Sequence, residues 1–213
     1  MPTDSDALDD LLDGLDFSQG EPLAESNQGE VRRFRIDGRD LAIKQPKGRG
    51  LAWTLRAAGL RHEYRAYRRL DGLAGFPRCH GLYPGDRLVL DFIPGTPLRE
   101  AGLDRDDPFF ERLLSLIRTM HARGVAHGDL KRKANLLVDA QGRPIILDFG
   151  TATLRKDGSR PINHRLFELM RQTDLNAWIK LKYGGYTELS ERDAALFRRT
   201  RIEHWLGRWR RGG

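Results

Sequence analysis

Short runs in which hydrophobic and polar residues alternate occupy the first half of the chain. Alternation of this kind predicts β-strands, because successive side chains of a strand point to opposite faces of a sheet. Turn residues such as Asp37-Gly38 and Pro84-Gly85-Asp86 separate the runs, as in antiparallel hairpins. We therefore expect a five-stranded antiparallel sheet, with strands at residues 22–24, 30–36, 40–44, 79–83 and 87–92.

Apolar residues three or four positions apart predict helices, which dominate the second half of the chain. Asp107 followed by Pro108 marks a helix start, because aspartate caps the first amides and proline fits the first helical position. Ser190 to Asp193 reads as a capping box that starts another helix. The pattern predicts an α+β fold whose helices cover residues 4–16, 51–70 with a break near Gly59, a segment from 108, 162–182 and 191–210.

Glu63 lies on the apolar face of the helix predicted for residues 51–70, together with Leu60 and Tyr67. A carboxylate on such a face is costly unless a cation pairs with it. Lys44 follows a buried-looking strand nineteen residues earlier and is the expected partner. An exposed glutamate at the edge of the apolar face is the alternative on helix geometry alone.

Two tripeptides, His127-Gly128-Asp129 and Asp148-Phe149-Gly150, frame a predicted hairpin with strands at 136–138 and 145–147. The hairpin predicts that Asp129, Asn135 and Asp148 come together. Phosphoryl transfer needs a carboxylate facing the acceptor hydroxyl and oxygen ligands for a metal ion, since its catalysis is mostly positioning and electrostatics. Either tripeptide alone is typical of an ordinary turn, but the two in this order favour a phosphoryl-transfer site.

Charge is divided unevenly along the chain, whose net charge is +7. Residues 1–30 contain nine acidic and no basic residues, so the remainder holds 37 basic against 21 acidic residues. A basic remainder indicates an anionic partner such as nucleic acid, a membrane surface or a phosphorylated substrate. A solvated basic surface explains any single cluster equally well.

Cysteine usage and the N-terminal sequence bear on location. Cys79 is the only cysteine, which excludes an internal disulfide and is typical of a reducing compartment. The first residues lack the basic and apolar regions of a secretion signal, and no apolar run approaches the roughly 20 residues of a membrane-spanning helix. We therefore expect a cytoplasmic protein.

The order of these parts resembles that of the protein-kinase-like superfamily over most of residues 20–150. Leu41-Ala42-Ile43-Lys44 resembles the V-A-I-K strand, His127-Gly128-Asp129 the catalytic H-x-D, and Asp148-Phe149-Gly150 the metal-binding D-F-G. The resemblance implies a single domain with a two-lobed protein-kinase-like fold and a reduced, mainly helical C-lobe. Its parts are an N-lobe at 1–92, a hinge at 93–97 and a C-lobe at 98–213 that ends in a basic helix.

The resemblance also implies which residues bind ATP. Lys44 corresponds to the ligand of the α- and β-phosphates, with Glu63 as its helix partner. The hinge backbone, at Asp91 and Ile93, corresponds to the part that hydrogen-bonds the adenine. Gly29 and Ser26 stand at positions of the glycine-rich phosphate loop.

Catalytic and metal-binding roles follow from the same resemblance. Asp129 corresponds to the residue that accepts the proton of the acceptor hydroxyl, and Lys131 to the lysine that many serine/threonine kinases direct at the γ-phosphate. Asp148 and Asn135 correspond to the ligands of Mg²⁺.

Three features depart from the superfamily pattern. The glycine-rich loop retains only Gly29-Glu30-Val31 of G-x-G-x-x-G-x-V, which implies a looser or differently shaped phosphate clamp. Asn135 stands six residues after Asp129 where the family has five, so we expect the loop to bulge by one residue. No A-P-E follows Gly150, and the 63 remaining residues are too few for the subdomain on which protein kinases dock peptides.

A short C-lobe with His-Gly-Asp-Leu resembles RIO-type kinases, the kinase partner of the tRNA threonylcarbamoylation machinery and bacterial lipopolysaccharide core-sugar kinases. The helix at 61–70, the Lys131-Arg132-Lys133 insertion and the tail resemble the third group most closely. This resemblance implies transfer of the γ-phosphate to a hydroxyl of an anionic glycolipid. The alternatives are a compact RIO-like serine/threonine protein kinase, and a pseudokinase or ATP-gated binding module supported only by the altered glycine loop and the shifted Asn135.

The tail combines an apolar helical stripe of Ile202, Trp205, Leu206 and Trp209 with six flanking arginines. This composition suits the cytoplasmic face of an anionic membrane, where the protein would bind peripherally. It equally suits a helix packed on the C-lobe with its arginines in water. Nucleic acid has less support, because no RNA- or DNA-binding motif accompanies the stripe.

Overall fold

The computed structural model describes residue 12 and residues 14–26 and 29–198. The chain divides into two compact units, the first comprising Met1–Pro94 with Asp148–Gly150 and the second Gly95–Leu147 with Thr151–Gly213. The chain passes from the first unit to the second after Pro94, within the predicted hinge at 93–97. The division into N-lobe, hinge and C-lobe stays a prediction.

The first unit is built on the predicted five-stranded antiparallel sheet. Its order is β1-β2-β3-β5-β4, and the turn between β2 and β3 places Asp37 and Gly38 at positive φ, as a tight hairpin requires. The fold class predicted from the sequence is confirmed. The strands are β1 Glu21–Ser26, β2 Gly29–Ile36, β3 Arg39–Gln45, β4 Cys79–Tyr83 and β5 Arg87–Asp91.

Helix α1, Gly50–Leu70, follows β3 as one uninterrupted helix. The predicted break near Gly59 is wrong. A glycine inside a helix costs only about 1 kcal/mol relative to alanine, and the buried residues Ala57 and Leu60 on either side of Gly59 hold the helix in place.

The two faces of β3 serve different purposes. Leu41 and Ile43 are fully buried in a hydrophobic cluster, whereas Ala42 and Lys44 point to the opposite face, because side chains alternate along a strand. The cluster includes Leu12, whose backbone oxygen accepts a hydrogen bond from Arg87 Nη1 at 2.6 Å. The rest of the acidic helix predicted at 4–16 lies mostly outside the described residues. The cluster consists of Leu12, Phe17, Phe34, Leu41, Ile43, Tyr83 and Val89.

The second unit combines helices with two small sheets. Asp107 caps α2 as predicted, since its side chain accepts a hydrogen bond from the Phe109 amide at 2.8 Å. Trp178 donates its indole N–H to the Phe110 carbonyl at 2.7 Å, which joins α3 to α2. The elements are β6 Thr96–Pro97, α2 Pro108–Ala122, β7 Val125–Ala126, β8 Leu136–Val138, β9 Pro144–Ile146, β10 Thr153–Leu154, α3 Pro161–Tyr183 and α4 Glu191–Ala194.

The helix predicted from 191 to about 210 is much shorter. Ser190 caps it as predicted, but α4 ends at Ala194. The Asn176 side-chain amide donates to the Arg198 carbonyl at 2.8 Å, so α3 satisfies a backbone group that a longer helix would have bonded internally. The predicted tail stripe lies at 199–213, outside the described residues. Among the helices that the structure describes, none has both the length and the apolarity needed to cross a bilayer.

Candidate active site

Lys44 and Glu63 form the ion pair that the helix spacing predicts. Lys44 Nζ lies 2.7 Å from Glu63 Oε2 and 3.0 Å from Asp148 Oδ1, and both Lys44 and Glu63 are buried. Burial lowers the pKa of the Lys44 ammonium, but the two carboxylates outweigh burial and hold that pKa above its usual value. The first unit therefore presents a fixed positive charge beside the half-exposed carboxylate of Asp148.

The Asp148-Phe149 turn is anchored to α1 and to the loop that follows it. Asp148 donates its backbone N–H to Tyr67 Oη at 3.2 Å, and burial raises the pKa of Tyr67, so the phenol stays neutral. The Phe149 ring is fully buried, edge-on to Tyr67 with centroids 5.0 Å apart and 5.9 Å from the Phe76 ring centroid. Asp148 adopts a left-handed φ of 61°. The anchored turn aims its carboxylate at Lys44.

Gly29 has a structural reason to be glycine. A Cβ added to it would lie 2.3 Å from the Gln45 backbone oxygen, so any other residue would force β2 away from β3. Ser26 ends β1, and its side chain lies outside what the structure describes. The phosphate-loop roles of both residues stay predictions.

The predicted hinge residues follow the end of β5. Asp91 donates its backbone N–H to the Arg78 carbonyl at 2.9 Å, and its carboxylate lies 2.6 Å from His80 Nε2. Ile93 is half-buried beside Pro94, where the first unit ends. Their roles towards adenine stay predictions.

In the second unit, His127 is a buried support for Asp129. Its Nε2 lies 2.9 Å from the Leu147 carbonyl, and its Nδ1 accepts the Asp129 backbone N–H at 3.2 Å. A carbonyl can only accept and an amide N–H can only donate, so the ring carries its proton on Nε2. The histidine of the H-x-D motif therefore fixes the backbone at Asp129.

The loop between Asp129 and Asn135 ends in a short 3₁₀ turn, Lys133–Asn135. Asn135 is buried and donates its side-chain amide to the Asp129 carbonyl at 3.1 Å. Asn135 therefore stays within hydrogen-bonding distance of the Asp129 backbone, and the one-residue bulge relative to the family stays a prediction. Asp148 belongs to the other compact unit, and its predicted association with these two residues stays a prediction.

Asp174 of α3 is a residue that the sequence analysis missed. Its fully buried carboxylate accepts hydrogen bonds from the backbone amides of His127 and Gly128, both at 2.8 Å, and lies 2.9 Å from His121 Nε2. The signal that revealed Glu63 was also present here, because Asp174 follows the apolar face of α3 set by Phe167 and Trp178. Asp174 thus holds the backbone that leads into Asp129.

Three basic residues, Lys131, Arg132 and Lys133, are exposed between Asp129 and Asn135. Further along, the Thr151 hydroxyl donates to the His127 carbonyl at 3.1 Å, which holds the start of the segment after Gly150 against the residues that lead into Asp129. The loop thus combines the Asp129 carboxylate with three exposed cations, a charge pattern that would favour an anionic substrate.

Comparison with known proteins agrees with this arrangement of motifs. Residues 105–201, which contain Asp129, Asn135 and Asp174, match the lipopolysaccharide kinase (Kdo/WaaP) family. The chain also resembles protein kinases, among them the serine/threonine-protein kinase chk1 of Schizosaccharomyces pombe, at 40% identity over 85 residues. The chain is a member of the protein-kinase-like superfamily.

Other relatives of this kinase-like chain are longer proteins. CBL-interacting protein kinase 25 of Oryza sativa subsp. japonica is 30% identical over 155 residues, which are 65% of this chain and 30% of the relative. A sperm motility kinase (Tcr mutant form) of Mus musculus is 34% identical over 87 residues, 38% of this chain and 17% of the relative. The match to chk1 covers 36% of this chain and 17% of that relative. The chain thus spans between 17% and 30% of the length of these relatives.

The kinase-like chain has oxygen donors of the type that Mg²⁺ prefers. Asp148 offers a half-exposed carboxylate. Asn135 offers the oxygen of its side-chain amide, whose nitrogen donates to the Asp129 carbonyl. Within the described ranges, no group of three or more His, Cys, Asp and Glu side chains could hold a metal ion. A carboxylate or an amide oxygen is the kind of protein ligand that Mg²⁺ uses together with substrate phosphates and water.

Proposed function

We propose that this protein is an ATP-dependent phosphotransferase that transfers the γ-phosphate to a hydroxyl group. The observation that most supports the proposal is the buried Lys44–Glu63 ion pair with Asp148 at 3.0 Å from the same ammonium. Burying the charges of Lys44 and Glu63 costs desolvation free energy, and a buried ion pair often adds little net stability. A role in binding phosphates would explain why this protein has the pair. The presence of the pair supports an active kinase over a pseudokinase.

Each proposed role follows from the chemistry of one residue. Lys44 supplies positive charge to the phosphates, and Glu63 keeps its ammonium group in place. Asp148 and Asn135 hold Mg²⁺, which neutralises phosphate charge when bound. Asp129 orients the acceptor hydroxyl and receives its proton, and Lys131 adds positive charge for the γ-phosphate.

We further propose that the acceptor is an anionic glycolipid, such as a sugar of lipopolysaccharide core. The match of residues 105–201 to lipopolysaccharide kinases and the exposed cations at 131–133 support this class. The protein would then work in the cytoplasm at the inner face of a membrane. The test is to incubate the protein with labelled ATP and either purified lipopolysaccharide or a protein extract, and to ask which acquires label.

A compact serine/threonine protein kinase is the second candidate. The similarity to chk1 and CBL-interacting protein kinase 25 favours it. Transfer of label to proteins of the extract, with none to lipopolysaccharide, would establish this second function instead.

Replacement of Asp129 with asparagine tests the catalytic assignment. We expect turnover to fall on the order of a hundredfold, because an amide cannot accept the hydroxyl proton. The dissociation constant for ATP should stay within about twofold, since Asp129 acts only on the acceptor in this scheme. Steady-state kinetics and equilibrium nucleotide binding measure the two effects. A large loss of ATP affinity would contradict the role given to Asp129.

The proposed acceptor class predicts a dependence on salt. Screening acts over about 8 Å at physiological ionic strength, so the Michaelis constant for lipopolysaccharide should rise steeply between low and high salt while that for ATP changes little. Removal of residues 199–213 should weaken binding to anionic vesicles, because the tail carries arginines and tryptophans.

This truncation spares Arg198, whose backbone is bonded to Asn176, so the second unit keeps that contact. A truncated protein that binds vesicles as well as the intact one would show that the tail has no part in membrane binding. A Michaelis constant for lipopolysaccharide that does not change with salt concentration would contradict an anionic acceptor.

A further inference from the structure

The first half of α3 exposes an apolar stripe. Within Pro161–Arg171, all of which the structure describes, Phe167 alone is buried. Ile162 is 83% exposed and Leu166 is 45% exposed, one helical turn further along. Met170, another turn on, is half-buried, so the stripe runs along one face at i, i+4 and i+8. We call Ile162, Leu166 and Met170 the α3 stripe.

The α3 stripe ends at the catalytic loop. The Met170 sulfur would lie 3.3 Å from a Cβ placed on Gly128, the residue before Asp129. Gly128 has a φ of +78°, a conformation suited to glycine, so no side chain separates Met170 from the loop backbone. An apolar group lying along the stripe would therefore reach the immediate neighbourhood of Asp129.

Hydrogen bonds hold the exposed end of the α3 stripe to the segment before it. Asn163 accepts the Lys156 amide N–H at 2.8 Å and donates to the Leu154 carbonyl at 3.0 Å, and His164 Nε2 lies 2.8 Å from the Lys156 carbonyl. β10, which contains Leu154, pairs with β7 immediately before His127. Ile162 is thus exposed on a helix start that is hydrogen-bonded to β10 and to Lys156, and β10 pairs with the strand that leads into His127.

Exposed cations lie close in sequence to the exposed end of the α3 stripe. Between residues 151 and 166 the sequence has four basic residues and a single acid, Asp157. All five of these side chains are exposed. Exposed apolar side chains flanked by cations are the combination with which amphipathic helices bind the headgroup region of anionic bilayers. The basic residues are Arg155, Lys156, Arg160 and Arg165.

We propose that the α3 stripe docks on the surface of an anionic lipid bilayer, with Ile162 and Leu166 inserted among the lipids and the neighbouring cations on their headgroups. This inference rests on the proposed function and deepens it, because docking brings Asp129 to an acceptor embedded in that bilayer. The basic tail at 199–213 is a poor occupant of the stripe, since like charges would face each other. A second copy of the same basic surface is disfavoured for the same reason.

A site-specific probe tests the docking without ATP. Cys79 is the only cysteine, and burial raises its pKa to about 12, so an introduced exposed cysteine will react selectively. A polarity-sensitive fluorophore on Ile162→Cys should shift to the blue with phosphatidylglycerol vesicles and not with phosphatidylcholine vesicles. The matched control is Leu51→Cys, whose native side chain is 76% exposed at the start of α1. An equal shift at both positions, or none at 162, would overturn the proposal.

Substitution provides the second measurement. Ile162→Ser combined with Leu166→Ser should weaken sedimentation with phosphatidylglycerol vesicles on the order of tenfold, whereas Leu51→Ser with Leu55→Ser should not. Unchanged thermal midpoints check that both double variants fold. If either double variant does not fold, the fluorophore measurement on Ile162→Cys still tests the proposal. Unchanged sedimentation of the first variant would overturn the inference, as would a concentration-dependent dimer that this variant abolishes. If the protein docks on vesicles but transfers no phosphate to lipopolysaccharide, the result contradicts the proposed function and supports the docking surface.

Discussion

Turnover of Mg-ATP should fall by roughly a thousandfold or more, equivalent to about 4 kcal/mol, when Asp148 is replaced by asparagine. Asparagine tolerates the left-handed φ of 61° as readily as aspartate, so the turn should keep its backbone. The backbone N–H that Asp148 donates to Tyr67 is also retained. The change therefore removes one negative charge beside Lys44, where the proposed metal site requires a carboxylate to hold a divalent cation.

The measurement is ATP hydrolysis over a range of Mg²⁺ concentrations, with the thermal midpoint as a check on folding. Asp37→Asn is a matched control, because Asp37 is also an aspartate at positive φ, 50°, but lies exposed in the hairpin between β2 and β3. The control should hydrolyse ATP at the normal rate. Turnover within a few fold of normal in Asp148→Asn would remove Asp148 from the proposed metal site.

Replacement of Asp174 with asparagine should cost about 3–5 kcal/mol of unfolding free energy. The buried carboxylate accepts three hydrogen bonds, from the amides of His127 and Gly128 and from His121. An asparagine side chain has one oxygen, and its NH₂ group would face an amide that can only donate. At least one buried N–H would then lose its acceptor, and the loop that carries Asp129 would lose its support.

Chemical denaturation measures the stability, and turnover at saturating ATP measures the effect on the loop. Asp106→Asn is the control, since the Asp106 side chain is 87% exposed and its partner Arg105 lies 3.8 Å away. Exposed pairs of this kind contribute little, so the control should be neutral. Stability of Asp174→Asn within about 1 kcal/mol of the parent protein would show that Asp174 does not hold the loop that carries Asp129.

Local patterns predicted the elements of this fold well, because strands and helix starts depend on residues close together in sequence. The strand at residues 79–83 and the start of α2 at Pro108 coincide with the sequence predictions. The Lys44–Glu63 pair was predictable because an acid on an apolar helix face demands a partner. The same argument applied to Asp174 would have shown that it needed partners, but its partners include backbone amides more than 40 residues away.

The end of α4 illustrates what a local pattern cannot contain. The sequence after Ser190 has helical spacing, and the capping box forms. The backbone at Arg198 is instead bonded to the side chain of Asn176, a contact between residues 22 apart. A longer helix would have bonded the Arg198 carbonyl internally, so beyond the end of α4 a tertiary contact takes the place of a helical hydrogen bond.

The composition of the first unit has a consequence for biosynthesis. Phe149 fills space beside Tyr67 and Phe76, and Asp148 pairs with Lys44, yet these two residues are translated only after the intervening residues 95–147. The sheet and α1 therefore leave the ribosome before the buried ring of Phe149 and the carboxylate that pairs with Lys44, both of which belong to the same unit. A stalled chain ending before residue 148 would display an unpaired apolar surface around Tyr67 and Phe76. Such a nascent chain should be digested by protease faster than one long enough to expose residues 148–150, and it should bind chaperones that recognise exposed aromatic side chains.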